Sequence, residues 1–141
     1  MEAIYTAEAL SIGAARNGHV RTTDGVIDTD LAIPTAMGGV GGALPNPELF
    51  FAAGYAACFH SALQAVARAQ KVDVHDTSVG SKVSIGSNGP GGFQLAVELE
   101  VTIPDLDHDA AQALADAAHQ VCPYSNATRG NIGVTVSVVD D

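Results

Sequence analysis

Residues 46–70 read Asn46-Pro47-Glu48-Leu49-Phe50-Phe51-Ala52-Ala53-Gly54-Tyr55-Ala56-Ala57-Cys58-Phe59-His60-Ser61-Ala62-Leu63-Gln64-Ala65-Val66-Ala67-Arg68-Ala69-Gln70, and their reading decides the fold. Asn46 is a good N-cap, Pro47 suits the first helical position, and Glu48 sits where a helix dipole favours an acid. These residues predict one long helix ending near Gln70, with Gly54 the place for a break. The 19 residues Leu49 to Ala67 carry no formal charge. Gly54, Tyr55, His60, Ser61 and Gln64, set among alanines, make the run too polar for lipid and suit a helix buried in protein.

Upstream, the pattern is that of strands and turns. Ile4 to Ala9 alternates weakly, Asn17-Gly18 and Asp24-Gly25 are hairpin signals, His19 to Thr23 forms a short strand, and Val26 to Ile33 alternates again. The run Met37-Gly38-Gly39-Val40-Gly41-Gly42 lacks both GxGxxG order and a following Gly-Lys-Ser/Thr, so it reads as a connector, not a phosphate loop. Downstream, Val79 to Ile85 and Phe93 to Ile103 are strands joined by Asn88-Gly89-Pro90-Gly91-Gly92. A second helix is expected from Pro104-Asp105, with Leu106, Ala110, Leu114, Ala117 and Val121 on its inner face and Cys122-Pro123 at its end. A loop through Gly130 then leads to a last strand, Ile132 to Val139. This order of strands, helix, strands, helix, strand is α+β.

The chain has 141 residues, 47% apolar and 16% charged. That is one domain, and a chain this long buries roughly 70% of its unfolded surface. Disorder is excluded by the same composition. With 6 Lys and Arg against 16 Asp and Glu, the net charge is −10, which disfavours nucleic acid and anionic membrane surfaces as partners. Two cysteines are too few for a disulfide scaffold, and residues 1–5 show no signal peptide, so a cytoplasmic location is expected.

The chemistry is signalled by missing charge. Between Leu31 and Ala67 the one charged residue is Glu48, and none occurs from Ala117 to Thr128. Each stretch holds one cysteine, Cys58 or Cys122. A mid-helix cysteine is ordinarily an inert small hydrophobe whose thiol pKa burial raises. Reactivity requires a cation against the sulfur. An Arg about 4 Å from a thiolate is worth up to ~4 kcal/mol at an effective dielectric near 20.

The runs Asn46-Pro47-Glu48, Phe51 to Phe59 and Ala118 to Asn131 resemble the organic hydroperoxide resistance proteins, thiol peroxidases of the wider OsmC family. The resemblance extends over nearly the whole chain, including Asp24-Gly25, the glycine-rich loop and Pro90-Gly91-Gly92-Phe93, and Cys122-Pro123-Tyr124-Ser125-Asn126-Ala127 is its most specific part. It implies an OsmC-like fold, with antiparallel sheets around a long central helix bearing the reactive cysteine, in a single domain over 1–141 and an intertwined homodimer. It implies that Cys58 is the peroxidatic cysteine, Cys122 the resolving one, Arg16 the holder of the thiolate and Glu48 the orienter of Arg16. It implies organic hydroperoxides as substrates, a dithiol reductant such as a lipoylated protein, and no cofactor. The sequence departs from the family at Asn17, often Asp; at His19, often basic; and at His60, where a small or apolar residue is more familiar.

Phe50, Phe51, Tyr55, Ile33 and Met37 are candidates for an apolar substrate pocket, each with core packing as its alternative. On a continuous helix Glu48 and Cys58 are about 15 Å apart along the axis, so either the helix breaks near Gly54 or the two serve one site from different chains. A break is the expectation carried forward. His19, His60, His75, His108 and His119 show no CxxC, HxxxH or HExxH spacing, so zinc is weakly supported. A Cys-His hydrolase pair involving His60 or His119, and a non-catalytic apolar-ligand binder of the same fold, are the competing functions.

Overall fold

The structure, a computed structural model, describes residues 1–140. It divides into two compact units, Met1–Phe50 and the chain from Phe51 onward.

In the first unit, β1 (Ala9–Ile12), β2 (His19–Thr22) and β3 (Asp28–Asp30) form an antiparallel sheet. Ile12 pairs with His19 and His19 with Asp30. The Asp24-Gly25 turn forms as expected: the Asp24 carboxylate accepts from the Thr22 hydroxyl and the Val26 N–H. Two expectations change. The first strand begins at Ala9, not Ile4. Asn17-Gly18 is also not a two-residue turn, because it ends a longer loop containing a 3₁₀ turn, Ala15–Asn17. Gly18 is required there by close approach, since a Cβ would lie 2.3 Å from the Ile12 carbonyl oxygen. The glycine run after Met37 is a connector between β3 and the first helix.

That helix, α1, spans Pro47–Gln70. The Asn46 Oδ1 accepts from Leu49 N–H at 2.9 Å, the N-cap bond expected from the sequence. The expected break at Gly54 does not occur. Gly54 serves a neighbour instead: a Cβ there would stand 3.1 Å from the Tyr124 hydroxyl and 3.2 Å from its ring. By length and apolar composition α1 could cross a membrane, but its buried face, Tyr55, Phe59, Leu63, Val66 and Ala67, belongs to the protein core.

In the second unit, β4 (Ser78–Ser87) and β5 (Phe93–Thr102) form a long antiparallel hairpin, and β6 (Val134–Val138) joins β5 in parallel. A parallel neighbour needs a long crossover. α2 (His108–Val121) and α3 (Pro123–Thr128) supply it. β5 buries Val97, Leu99 and Val101 and turns Glu98 and Glu100 outward. The buried face of α1 meets these strand residues and the small face of α2.

α2 starts at His108 and not at Pro104-Asp105, because Asp107 is its N-cap and accepts from Ala110 N–H at 2.9 Å. Its buried face is Ala111, Leu114, Ala115 and Ala118, so of the expected face Leu114 is buried while Ala110 and Val121 face outward. The expected loop after Cys122 is the short helix α3, started by Pro123 at a position where its missing N–H costs nothing.

Candidate active site

Two charged side chains come together in the first unit. Arg16 donates from Nη1 and Nη2 to the two carboxylate oxygens of Glu48, both at 2.8 Å. This is a bidentate fork, which fixes direction as well as distance. The 3₁₀ turn presents Arg16, and the helix start presents Glu48. The loop is pinned by Asn17, whose Oδ1 accepts from Ile33 N–H at 3.1 Å, a role that the amide performs without a charge. The Arg16 bond holds the Glu48 carboxyl below its ordinary range, and Glu48 raises Arg16 in return. His19 lies between two acids, with Nε2 2.5 Å from Asp28 and Nδ1 2.7 Å from Asp30, and both raise its pKa.

Two sulfurs come together in the second unit. Cys58 is on α1 and half-buried. Cys122 is fully buried where α2 ends, its extended backbone turning the chain into α3. Their Sγ atoms are 3.7 Å apart and both thiols are free. A disulfide bond is about 2.05 Å long, so the two sulfurs stand in van der Waals contact and unbonded. Burial pushes the Cys58 thiol up and the neighbouring Cys122 adds to this, while the Tyr124 backbone N–H pulls it down. That N–H was not legible as a functional group, since backbone donors leave no mark on a sequence.

Beside the sulfurs lies a network of hydroxyls. Tyr55 Oη is 2.9 Å from Ser125 Oγ and 3.0 Å from Thr128 Oγ1, and His119 Nδ1 is 2.8 Å from Ser125 Oγ. Tyr55 is fully buried. Phe51 and Tyr124 line an open cavity of about 590 Å³ with Phe93, Leu95 and Ile132, and Asn88 and Asn131 are part of the same lining. Phe50 and Met37 are exposed in the first unit, and Ile33 there is half-buried.

His60 Nε2 is 2.8 Å from the Thr77 hydroxyl, to which Gln64 also donates. Both histidines proposed for a Cys-His pair therefore bond hydroxyls. Among the described residues, no three His, Cys, Asp or Glu side chains are grouped to hold a metal ion.

A family model described as OsmC-like protein matches residues 40–137. The chain is similar to the organic hydroperoxide resistance protein of Xanthomonas axonopodis pv. citri, at 48% identity covering 96% of this chain and 94% of the relative. It is similar to the organic hydroperoxide resistance protein OhrB of Bacillus subtilis, at 44% identity covering 96% and 98%. In structure it resembles an organic hydroperoxide resistance protein from Legionella pneumophila, with a TM-score of 0.92 and 52% identity covering 97% and 98% of the two chains. The stretch matched by the family model contains both Cys58 and Cys122, and by these likenesses the chain belongs to the organic hydroperoxide resistance proteins of the OsmC family.

Proposed function

We propose that this protein is a thiol-dependent peroxidase that reduces organic hydroperoxides to alcohols. The observation that carries the reading is the 3.7 Å approach of a half-buried Cys58 to a fully buried Cys122. The Cys58 thiolate attacks one peroxide oxygen. An S–O bond forms, the O–O bond breaks, and the alkoxide leaves as alcohol after taking a proton. Cys122 then attacks the Cys58 sulfenic acid, forming the disulfide and releasing water. A dithiol, of the kind carried by a lipoylated protein, returns both thiols by exchange. Two sulfurs suffice, and no cofactor takes part. The cavity lined by Phe51, Phe93, Leu95 and Tyr124 suits the apolar substituent of the peroxide.

Activation needs a cation, because burial and Cys122 both raise the Cys58 pKa. Arg16 in its Glu48 fork supplies it. α1 is unbroken, so Glu48 and Cys58 stand about 15 Å apart along its axis. The fork therefore acts on the Cys58 of a second copy, in a homodimer whose two sites each draw on both chains. Exposure supports this reading: all of β1 is exposed, Leu10 and Ile12 included, and so is the small-residue row Ala53, Ala57, Ser61 and Ala65 on α1. Residues 1–141 act as one functional domain of a cytoplasmic enzyme.

One equivalent of an alkyl hydroperoxide should consume both thiols and yield a single Cys58–Cys122 crosslinked peptide by mass spectrometry. Turnover with a dithiol should stop in Cys58→Ser. Thiols left untouched by the peroxide, or turnover that survives Cys58→Ser, would leave a non-catalytic binder as the better account.

A further inference from the structure

The hydroxyls of Tyr55 on α1 and of Ser125 and Thr128 on α3, with the His119 ring on α2, join three helices near the two sulfurs. Each has one proton to donate, and this fixes the direction of the whole chain of bonds. Thr128 Oγ1 is 3.0 Å from the Tyr124 carbonyl and 3.2 Å from that of Ser125, groups that only accept. Its proton goes there, so Thr128 accepts from Tyr55. The Tyr55 proton is then committed, so Tyr55 accepts from Ser125. Ser125 in turn accepts from His119, whose Nδ1 must carry hydrogen. The bonds run one way, from His119 on α2 through Ser125 on α3 and Tyr55 on α1 back to Thr128 and the α3 backbone.

The placement is specific. Tyr55 is one helical turn before Cys58, and Ser125 is three residues after Cys122. Tyr55 and Ser125 are fully buried and Thr128 is nearly so, so water cannot replace a lost partner. Arg129 strengthens the same corner by donating to the His119 carbonyl at 2.5 Å and to the Asn126 side chain at 2.9 Å.

We infer that Tyr55, Ser125, Thr128 and His119 are positioning residues for disulfide closure: they hold the Cys122 segment against α1, keeping Cys122 in reach of oxidised Cys58 and the Tyr124 N–H on the Cys58 sulfur. This rests on the peroxidase reading above. The step they serve forms the S–S bond, breaks the S–O bond of the sulfenic acid and releases its oxygen as water. It competes with a second hydroperoxide, which forms another S–O bond, breaks its O–O bond and leaves as alcohol, giving the sulfinic acid. Closure is intramolecular and the competing oxidation is bimolecular, so a looser Cys122 segment gives sulfinic acid at lower peroxide concentration.

The test follows the fate of Cys58 by mass spectrometry across a titration with an alkyl hydroperoxide, in wild type, Tyr55→Phe, Thr128→Val and Thr128→Ser, each first checked for folding by circular dichroism. The peroxide concentration giving half sulfinic acid should fall about tenfold in Tyr55→Phe and Thr128→Val, the effect of one net hydrogen bond on a barrier. Thr128→Ser, which keeps the hydroxyl, should retain the wild-type value. Should Tyr55→Phe fail to fold, the Thr128 pair decides. Wild-type partition in both Tyr55→Phe and Thr128→Val overturns the positioning role alone. Wild type forming no Cys58–Cys122 disulfide overturns both the positioning role and the peroxidase reading.

Discussion

At the scale of single residues, a carboxylate is worth having beside an arginine only if it stays ionised wherever the arginine must act. Glu48 meets this condition because Arg16 lowers its pKa. Its contribution is complete above the ordinary carboxylate range and is lost only as pH falls through the depressed value. Near neutrality the acid limb of activity should therefore report the Cys58 thiol. Arg16→Ala should raise the Cys58 pKa by roughly one to three units and lower peroxide reduction at pH 7 about tenfold per unit. Glu48→Gln should do less, since the cation remains but is less well aimed. Thiolate absorbance near 240 nm against pH, with Cys122 replaced by Ser throughout, checks both. An unchanged titration in Arg16→Ala would remove the fork from the mechanism.

Among elements, the glycine in α1 shows why one sequence signal can have two meanings. Gly54 costs helix stability of about 1 kcal/mol relative to alanine wherever it sits, which made a break a reasonable expectation. The spatial neighbour decides otherwise: Tyr124, seventy residues away, lies so close that a Cβ would sit 3.1 Å from its hydroxyl. Gly54→Ala should therefore fail to deliver that gain in the wild-type background and deliver it when Tyr124 is also replaced by Ala. A double-mutant cycle by urea unfolding measures the coupling, and the full gain in both backgrounds would return Gly54 to a mere lapse in propensity. The same contrast separates what was legible from what was not. The Asn46 cap, the long helix, the β4–β5 hairpin and the final strand are written locally, in caps, alternation and turn residues. The face of α2 was misjudged because its many alanines give little periodic contrast, and α3 was missed because six residues carry too few positions to show a period. Arg16 and Glu48 bond across 32 residues, and the family resemblance, not their spacing, suggested the pair. The hydroxyl chain had only a faint trace, Ser125 and Thr128 set close together within a charge-free stretch.

For the whole molecule, the unbroken α1 turns the origin of the Arg16 fork into a question that mixing can answer. Cys58→Ser removes the nucleophile from a chain but leaves its fork. Arg16→Ala removes the fork but leaves the nucleophile. In the proposed homodimer each pure variant has two defective sites. If the fork acts across the interface, a mixed dimer has one site combining the intact Cys58 of one chain with the intact Arg16 of the other, while its second site carries both lesions. Random exchange between equal amounts makes about half of the dimers mixed, which restores about a quarter of the sites. The mixture should therefore recover about a quarter of wild-type turnover at pH 7, plus the small activity contributed by the Arg16→Ala homodimers. Co-expression with two different tags, followed by tandem purification, isolates the mixed dimer, in which half of the sites should be active. If fork and nucleophile act within one chain, each site of the mixed dimer retains its lesion, and turnover should equal the mean of the two parents. That result would require α1 to bend or unwind between Glu48 and Cys58 in the working enzyme.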